Sequence, residues 1–346
     1  MTVNYYLSTE TENSDKIIDK NPIISVVVEG YNQSRDLGTV NDTLQALKKQ
    51  TFPLKQVEII LVGSSIQTQG WEKIYRNDSD FLSIKTLSYD DANYYELKNG
   101  GANLANGDIV AFTDSDVCPK PSWLSAIAQG IAQGADVVVG PSLFRQPNGL
   151  SSDSPLLMVL SSVTWGWPVG KGNIYKDNLL QAAGFMDHNV AMKTVVFLKH
   201  QYRTEFGRII ASPLLYRSLA NDGLNITYHS QQQACHFFSW KYWLISLHFR
   251  YGYEVYNIRR LDPQYPNHWI SKTGILEPLV TMIWHILLDI PRWFRFSRHL
   301  GQSFPYRLAC LPLLPILSTL GRGAEMVGMY ATMINPEKMK KWAENV

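Results

Sequence analysis

Two short apolar runs near the start of the chain constrain its fold more than any other feature. The runs from Ile23 to Val28 and from Val57 to Val62 have strand length and are rich in β-branched residues. Strands that are apolar without alternation are buried on both faces, as in parallel sheets. The segment between them, from Leu37 to Gln50, has apolar residues at helical spacing. The pattern predicts a strand, helix, strand unit.

The same alternation continues further along the chain. A third apolar run, from Ile109 to Phe112, follows a turn, and the segment from Trp123 to Ile131 has helical periodicity. A fourth strand is expected from Asp136 to Val139. Alternating strands and helices predict an α/β fold with a mostly parallel sheet and helices on both faces. Ligands of such sheets bind at the carboxyl ends of the strands, so functional residues are expected there.

Composition and charge exclude several classes of function. The net charge is +2 with no long basic block, which argues against nucleic-acid binding. The three cysteines are far apart and fit neither a disulfide framework nor a zinc site. Residues 1–21 are polar and contain no apolar stretch of signal-peptide length. We expect a flexible leader and a reducing, cytoplasmic location.

The character of the chain changes near Lys241. The remaining residues are aromatic and basic, with 13 lysines and arginines against seven acidic residues. The 16 residues from Ile275 to Ile290 form an amphipathic pattern, shorter than the roughly 20 residues that span a bilayer. The apolar segment from Leu308 to Leu320 is broken by two prolines. These patterns indicate an α/β domain at 22–240 and a helical region at 241–346.

Two interpretations of the helical region remain open. Its helices lie in the membrane interface, where Arg292, Arg295 and Arg298 face lipid headgroups, or they are core helices of a soluble domain. The first predicts a protein on the cytoplasmic face of the membrane, peripheral or monotopic. No long array of spanning segments is present, which argues against a synthase that also exports its polymer.

Two carboxylates follow the third strand directly. Asp114 and Asp116 flank Ser115 and are expected at the ligand-binding edge of the sheet. Hard oxygen ligands suit Mg²⁺ or Mn²⁺, and such a cation offsets the charge of a diphosphate leaving group. A short pattern of this kind also arises by chance as a solvated turn, so its position after a buried strand carries the argument.

Four segments in order give the chain a recognisable pattern: PIISVVVEGYN, LQALKKQTFPLKQVEIILVGSS, KNGGANLANGDIVAFTDSDVCPKPSWL and HNVAMK. Together they resemble family 2 glycosyltransferases, which have the GT-A fold, a Rossmann-like arrangement. The resemblance covers about residues 22 to 252. It implies transfer of a sugar, with inversion, from a nucleoside-diphosphate sugar to a hydroxyl of a glycan, polysaccharide or lipid-linked acceptor.

The resemblance also implies roles for individual residues. Asp114 matches the residue that touches the ribose and joins the metal site, and Asp116 matches the metal ligand. His236 matches a late histidine that joins the metal or diphosphate in some members, although a lone histidine is often structural. The positions expected to contact the nucleotide sugar are Glu29, Tyr31, Asn32, Gly63, Ser64, Lys98, Asp114, Ser115 and Asn189. Lys98 and a turn at residues 100–102 are expected near phosphate or ribose, whereas Asn189 alternatively caps a helix.

The chain departs from the family pattern in two places. Gly63 and Ser64 stand where an aspartate usually reads the nucleobase, and Glu29 is expected to supply that contact. The usual acidic general base is replaced by Ile210-Ala211. Inverting transfer needs a carboxylate near the acceptor hydroxyl. Glu205 and Asp187 are the candidates, and we expect Glu205, with a pKa raised by Phe206.

Two rival functions remain open. The missing base is consistent with a catalytically inactive GT-A protein that binds nucleotide sugars. A nucleotidyltransferase on a similar sheet would explain the metal carboxylates, but not HNVAMK or the late histidine. The ordered motifs favour the glycosyltransferase.

Overall fold

The computed structural model describes residues 22–31, 39–146, 151–170 and 179–344. Asn32, the expected leader and the start of the first predicted helix lie outside these residues. The strands are β1 (Ile24–Glu29), β2 (Val57–Gly63), β3 (Ser83–Ser88), β4 (Ile109–Asp114), β5 (Val117–Pro119), β6 (Val137–Val139), β7 (Ser142–Arg145), β8 (Leu179–Gln181), β9 (Val190–Lys193), β10 (Ile226–His229) and β11 (Ala234–Phe237).

The helices include each of those predicted from periodicity. They are α1 (Val40–Leu47), α2 (Ser65–Tyr75), α3 (Tyr94–Asn103), α4 (Trp123–Ala132), α5 (Pro155–Trp165), α6 (Thr194–His200), α7 (Gly207–Asn221), α8 (Arg250–Leu261), α9 (Glu277–His299), α10 (Phe304–Ala309), α11 (Leu313–Ile334) and α12 (Pro336–Glu344). A π-helix at Tyr242–Phe249 runs directly into α8.

The described strands form two sheets. The larger has eight strands in the order β3-β2-β1-β4-β9-β6-β10-β8, and the smaller has the order β5-β11-β7. In the larger sheet β8 and β9 run antiparallel to their neighbours, and the other neighbouring pairs are parallel. The predicted mostly parallel α/β sheet is therefore confirmed.

Both faces of the larger sheet are covered. Val27 and Phe112 pack in one hydrophobic cluster with Tyr95 of α3. Val26 and Val28 point the other way, into a second cluster that includes residues of α1, α2 and α4. Successive side chains of a strand alternate between faces, so strands buried on both sides must be apolar throughout. This explains the unbroken apolar runs in the sequence.

Helix α9 buries polar residues and exposes apolar ones, which is the reverse of what a helix on the surface of a globular protein usually does. Its polar residues Glu277, Thr281 and Asp289 are buried, whereas Ile283 is 50% exposed and Leu287 is 56% exposed. The predicted 16-residue helix overlaps a 23-residue helix that begins two residues later, at Glu277. By length and composition, the stretch from His268 to His299 is long and apolar enough to cross a membrane. Its apolar side faces away from the rest of the protein.

A buried ion network holds α9 against α11. Arg322 of α11 donates to both carboxylate oxygens of Asp289 at 2.8 and 2.9 Å and to Glu325 at 3.0 Å. Arg292 contacts Asp289 at 3.2 Å. The expectation that Arg292 faces headgroups is therefore wrong, whereas Arg298 is exposed. Arg322 and Glu325 both lie within the continuous helix α11 and are buried.

Candidate active site

The carboxyl ends of β1 and β4 place the acidic motif where the sequence predicted. Glu29 and Asp114 are the last residues of these strands and lie in register. The backbone N–H of Ser115 donates to the Glu29 carbonyl at 3.2 Å. Asp114, Ser115 and Asp116 are all buried. The motif is thus fixed by the sheet itself, in contrast to a solvated turn.

Asp114 is held by Lys98 and Tyr94. The Lys98 ammonium lies 2.7 Å from Asp114 Oδ1, and the Tyr94 hydroxyl lies 3.0 Å from both carboxylate oxygens. Burial alone would raise the pKa of Asp114, but the Lys98 charge overrides it and lowers the pKa to about 2. Asp114 is therefore an ionised carboxylate with a built-in counter-ion.

This arrangement changes the roles expected around Lys98. Lys98 is fully buried and bound to Asp114, and its expected position near phosphate or ribose stays a prediction. The predicted turn at residues 100–102 lies inside α3, where a Cβ on Gly101 would meet Val27 at 2.5 Å. Gly101 therefore allows the helix to pack closely on β1.

Asp116 and His236 come together from different parts of the chain. Asp116 precedes β5, which pairs with β11, and His236 lies opposite Val117 in that ladder. Asp116 Oδ2 is 3.2 Å from His236 Nε2, and both side chains are buried. The predicted proximity of the late histidine to the acidic motif is confirmed.

The donor set at this point fits a divalent cation. His236 Nδ1 lies 3.0 Å from the Phe237 carbonyl, which only accepts, so Nδ1 carries a proton. In neutral His236, Nε2 then points a lone pair toward a carboxylate oxygen. Carboxylate and imidazole are ligands for Mn²⁺ and related ions. Among the described residues, no group of three or more His, Cys, Asp or Glu side chains is placed to hold a metal ion.

Asp187 is a second carboxylate in the same region. Its Oδ2 accepts a hydrogen bond from Tyr95 at 2.7 Å, and its backbone carbonyl accepts one from Lys98 at 3.1 Å. Burial raises the pKa of Asp187 above its usual value, although hydrogen bonds from Ser212 and Tyr95 and the Lys98 charge oppose the shift. Ser212 directly follows Ala211, where the family places its base.

Glu205 has the opposite environment. It is exposed, and Arg203 lies 2.7 Å from its carboxylate. Its own backbone N–H, followed by Arg203, lowers the pKa of Glu205. The expected raised pKa is therefore wrong, because Phe206 does not bury the carboxylate. Gly207 begins α7 and makes no turn that returns Glu205 to the sheet.

Most of the positions expected to bind the nucleobase make hydrogen bonds or packing contacts with neighbouring residues of the protein. The Tyr31 N–H donates to the Glu29 carboxylate at 2.5 Å. Ser64 caps α2 by accepting a hydrogen bond from the N–H of Gln67. A Cβ on Gly63 would meet the Gln67 side chain at 2.5 Å. Gly63 and Ser64 thus form the tight β2–α2 junction, and Tyr31 is half-buried at the site.

Asn189 has neither of its expected roles. Its Oδ1 accepts from the Trp123 indole at 2.7 Å, and its Nδ2 donates to the Pro141 and Gln232 carbonyls at 3.0 and 3.1 Å. The side chain is fully buried. It ties α4 to the segments before β7 and β11 and caps no helix, whereas its contact with the sugar or acceptor stays a prediction.

Several site residues escaped the sequence analysis. Buried His188 packs edge-on against Trp165 and His236 and lies 2.8 Å from Ser142 Oγ. Burial lowers the pKa of His188 to about 3, so it is neutral. Tyr94 could have been found from its i, i+4 spacing to Lys98. His188 meets Trp165, His236 and Ser142 only in the folded protein, so no sequence spacing indicated its place in the site.

The fold and the acidic site define an enzyme of the GT-A class. The chain is similar to the solved structure of mannosyltransferase PcManGT from Pyrobaculum calidifontis in complex with GDP-Man and Mn²⁺. The TM-score is 0.56 with 14% identity, and the match covers 92% of this chain and 89% of the other. At that identity the likeness establishes the fold, which confirms the GT-A prediction.

The family follows from the sequence comparison. Residues 25–199, half of the chain, match the model of glycosyl transferase family 2. The chain therefore belongs to that family and is a glycosyltransferase. It is 30% identical over 131 residues to glycosyltransferase AglE from Haloferax volcanii, covering 37% of this chain and 42% of that protein. It is 25% identical over 281 residues to the glucosyl-dolichyl phosphate glucuronosyltransferase of the same organism, covering 74% and 83%.

Proposed function

We propose that this glycosyltransferase transfers a sugar with inversion from a nucleoside-diphosphate sugar bound through Mn²⁺ or Mg²⁺. The observation that carries the proposal is the 3.2 Å approach of Asp116 Oδ2 to His236 Nε2. A carboxylate oxygen and an imidazole nitrogen that lie this close, both buried, are ligands that can hold such a cation together. The structural neighbour PcManGT was solved with GDP-Man and Mn²⁺, which supports the choice of cation.

The site residues divide the work of donor binding. Asp116 and His236 would hold the cation, which when bound offsets the negative charge that develops on the leaving diphosphate. Asp114, fixed by Lys98 and Tyr94, would accept hydrogen bonds from the ribose hydroxyls. The Lys98 ammonium keeps the Asp114 carboxylate ionised. Tyr31, near Tyr94 with ring centroids 6.1 Å apart, would pack against the nucleobase.

Asp187 is our proposed general base. In an inverting transfer the acceptor hydroxyl attacks the anomeric carbon as the bond to the diphosphate breaks, and its proton passes to a base. Asp187 contacts Ser212, next to the position where the family base is missing, and therefore fills that role from another segment. A raised pKa makes its carboxylate a stronger base than an exposed one. Glu205, paired with Arg203 in solvent, has no such advantage.

The helical region is proposed to anchor residues 22–240 to a membrane. The outward face of α9 is apolar, whereas its inward face carries ion pairs, which is the arrangement a hydrocarbon environment favours. This favours the interface interpretation over a soluble core helix. With Arg298 exposed near its end, α9 would lie along the cytoplasmic face as a monotopic or peripheral element.

The acceptor is proposed to be lipid-linked. Helix α5 connects the two regions: its Val163 carbonyl accepts a hydrogen bond from Arg322 at 2.6 Å, and its Trp165 packs against His236. Two residues within one turn of α5 thus contact the helical region and the Asp116–His236 pair, so the reacting centre would lie close to the membrane. The relative named for glucosyl-dolichyl phosphate is consistent with such an acceptor.

A transfer assay tests this function. Full-length protein is incubated with Mn²⁺, a membrane lipid extract of the source organism and each radiolabelled UDP- or GDP-sugar. We expect label in the lipid phase with one donor, and none with Asp116→Ala. Nucleotide-sugar binding without transfer or hydrolysis for any donor would contradict the proposal and favour an inactive binding protein.

A further inference from the structure

An exposed carboxylate lies at the ligand-binding edge of the larger sheet, away from the acidic motif. Asp90 comes two residues after the end of β3, where the backbone N–H of Tyr89 donates to the Gly63 carbonyl of β2 at 2.8 Å. Asp90 Oδ1 accepts a hydrogen bond from the backbone N–H of Ser65 at 2.8 Å, and Oδ2 accepts one from Ser65 Oγ at 2.6 Å. These bonds hold the carboxylate beside the junction of β2 and α2.

The strand order gives the direction from the proposed donor site to Asp90. Neighbouring strands follow the order β4, β1, β2, β3. The proposed ribose contact, Asp114, ends β4, and Tyr31, which is proposed to pack against the nucleobase, follows β1. A nucleotide bound in this way extends toward the end of β2, where Ser65 holds the Asp90 carboxylate. Adjacent strands are about 4.8 Å apart, so a base beside β1 brings its outer edge close to that carboxylate.

Asp90 is the carboxylate that remains open at this edge. Glu29, at the end of β1, is fully buried and already accepts a backbone hydrogen bond. The Ser64 hydroxyl, at the β2–α2 junction, caps α2. Asp90 is exposed, and each of its oxygens has a second lone pair besides the one bound to Ser65. Hydrogen bonds from Ser65 lower the pKa of Asp90, so the carboxylate is ionised at neutral pH.

We propose that Asp90 selects the nucleobase of the donor by accepting a hydrogen bond from a ring N–H. Uracil carries such a group at N3 and guanine at N1, whereas the same ring positions of cytosine and adenine hold a lone pair that a carboxylate repels. A site built to hydrogen-bond one group discriminates strongly against analogues that lack it. The inference rests on the proposed nucleotide-sugar donor, and it adds the class of base that the site takes.

A purely structural role for Asp90 predicts a different outcome. If the carboxylate only held Ser65 and α2, its loss would weaken the binding of all nucleotides by a similar factor. If it reads the base, its loss changes the ratio of the affinities for UDP and CDP, or for GDP and ADP. Asp90→Asn keeps the size of the side chain and an oxygen that can accept the Ser65 N–H. It removes the charge, and its amide can donate to the ring nitrogen of cytosine or adenine.

Calorimetry of the full-length protein with Mn²⁺ gives Kd for UDP, CDP, GDP and ADP with wild type, Asp90→Asn and Asp91→Asn. Asp91 is the matched control, because it is exposed, carries the same charge and has a φ of 60° that asparagine also adopts. Wild type and Asp91→Asn should prefer UDP to CDP, or GDP to ADP, by roughly 10- to 100-fold, as expected for a hydrogen bond to a charged group. Asp90→Asn should lose most of that preference.

Three other results would overturn the inference in distinguishable ways. If wild type binds a nucleoside diphosphate without this preference, or Asp90→Asn keeps it, Asp90 does not read the base and the proposed donor site stands. If Asp91→Asn loses the preference as fully as Asp90→Asn, the loss of charge near the site explains the effect and no specific hydrogen bond is involved. If wild type binds none of the four nucleotides, the proposed donor site falls and the Asp90 inference falls with it.

Discussion

The hydroxyl of Tyr95 lies 2.7 Å from the carboxylate of Asp187. Tyr95 is fully buried and stacks on Tyr202 with ring centroids 4.4 Å apart, so the hydroxyl has little freedom. This hydrogen bond fixes Oδ2 of Asp187 and leaves Oδ1 as the oxygen available to the site. A base held in this way loses little conformational entropy when an acceptor hydroxyl arrives.

The two candidate bases are distinguished by paired substitutions. We expect Asp187→Asn to lower kcat for transfer by about 10² to 10⁴, the usual contribution of a general base. Glu205→Gln should leave kcat within about twofold of wild type, since that carboxylate is exposed and bound to Arg203. Rates are measured at saturating donor, and calorimetry checks that both variants bind donor. Equal rates for Asp187→Asn and wild type would remove Asp187 from the mechanism.

The raised pKa of Asp187 predicts the direction of the pH dependence. A base works only when it is deprotonated, so kcat should fall as pH decreases through the pKa of Asp187. Because burial raises that pKa, the fall should begin at a higher pH than for an ordinary aspartate. A pH–rate profile at saturating donor measures it. In Asp187→Asn this fall in kcat at acidic pH should vanish. If it persists at the same pH, another group is responsible for it.

Lys98 is expected to stabilise the fold through Asp114. Lys98→Met leaves a buried carboxylate without its counter-ion, which should lower the free energy of unfolding by about 3 to 5 kcal/mol at pH 7. The pKa of Asp114 is about 2, below the usual value for an aspartate. The ion pair therefore stabilises the protein above about pH 4 and loses its effect as pH falls toward 2.

Urea unfolding of both proteins across this pH range provides the measurement. Lys199→Met is the matched control, because Lys199 forms an exposed ion pair with Asp222. Such pairs contribute only about 0 to 1 kcal/mol. If Lys98→Met is no less stable than this control at pH 7, the buried pair does not support the fold.

Membrane binding should depend on the outward face of α9. The double variant Ile283→Glu and Leu287→Glu puts charge on exposed positions, so it should fold normally but lose co-sedimentation with anionic vesicles. Ile66→Glu with Val195→Glu makes the same change at exposed positions of residues 22–240. This control should sediment like wild type. Full sedimentation of the α9 variant would exclude that face as the anchor.

The sheet and the acidic motif could be predicted because their signals are local. An unbroken apolar run such as Val57–Gly63 indicates a buried parallel strand, and the residues after β4 must lie at its carboxyl end. The polar face of α9 was also visible from its spacing. Which face is buried was not, because that depends on ion pairs with Arg322, a residue of another helix.

The rest of the site depends on contacts between distant segments. Lys98 was assigned to substrate because its sequence does not reveal that Asp114 lies 2.7 Å away. Chain position favours Glu205 over Asp187, whereas the burial of Asp187 beside Tyr95 and α7 becomes visible only in the folded protein. Asn189 belongs to a motif, yet its hydrogen bonds reach Trp123 and Gln232. Such pairings arise only when the strands assemble.

Calorimetry of nucleotide binding tests the metal-bound donor site most directly. UDP and GDP are titrated into wild type, Asp116→Ala and His236→Ala, each with Mn²⁺ and with EDTA. One nucleotide should bind wild type only with Mn²⁺, because the diphosphate is otherwise repelled by Asp114 and Asp116. Asp116→Ala should lose that binding, and His236→Ala should weaken it. Binding that is equally tight in EDTA, or unchanged in Asp116→Ala, would contradict the account.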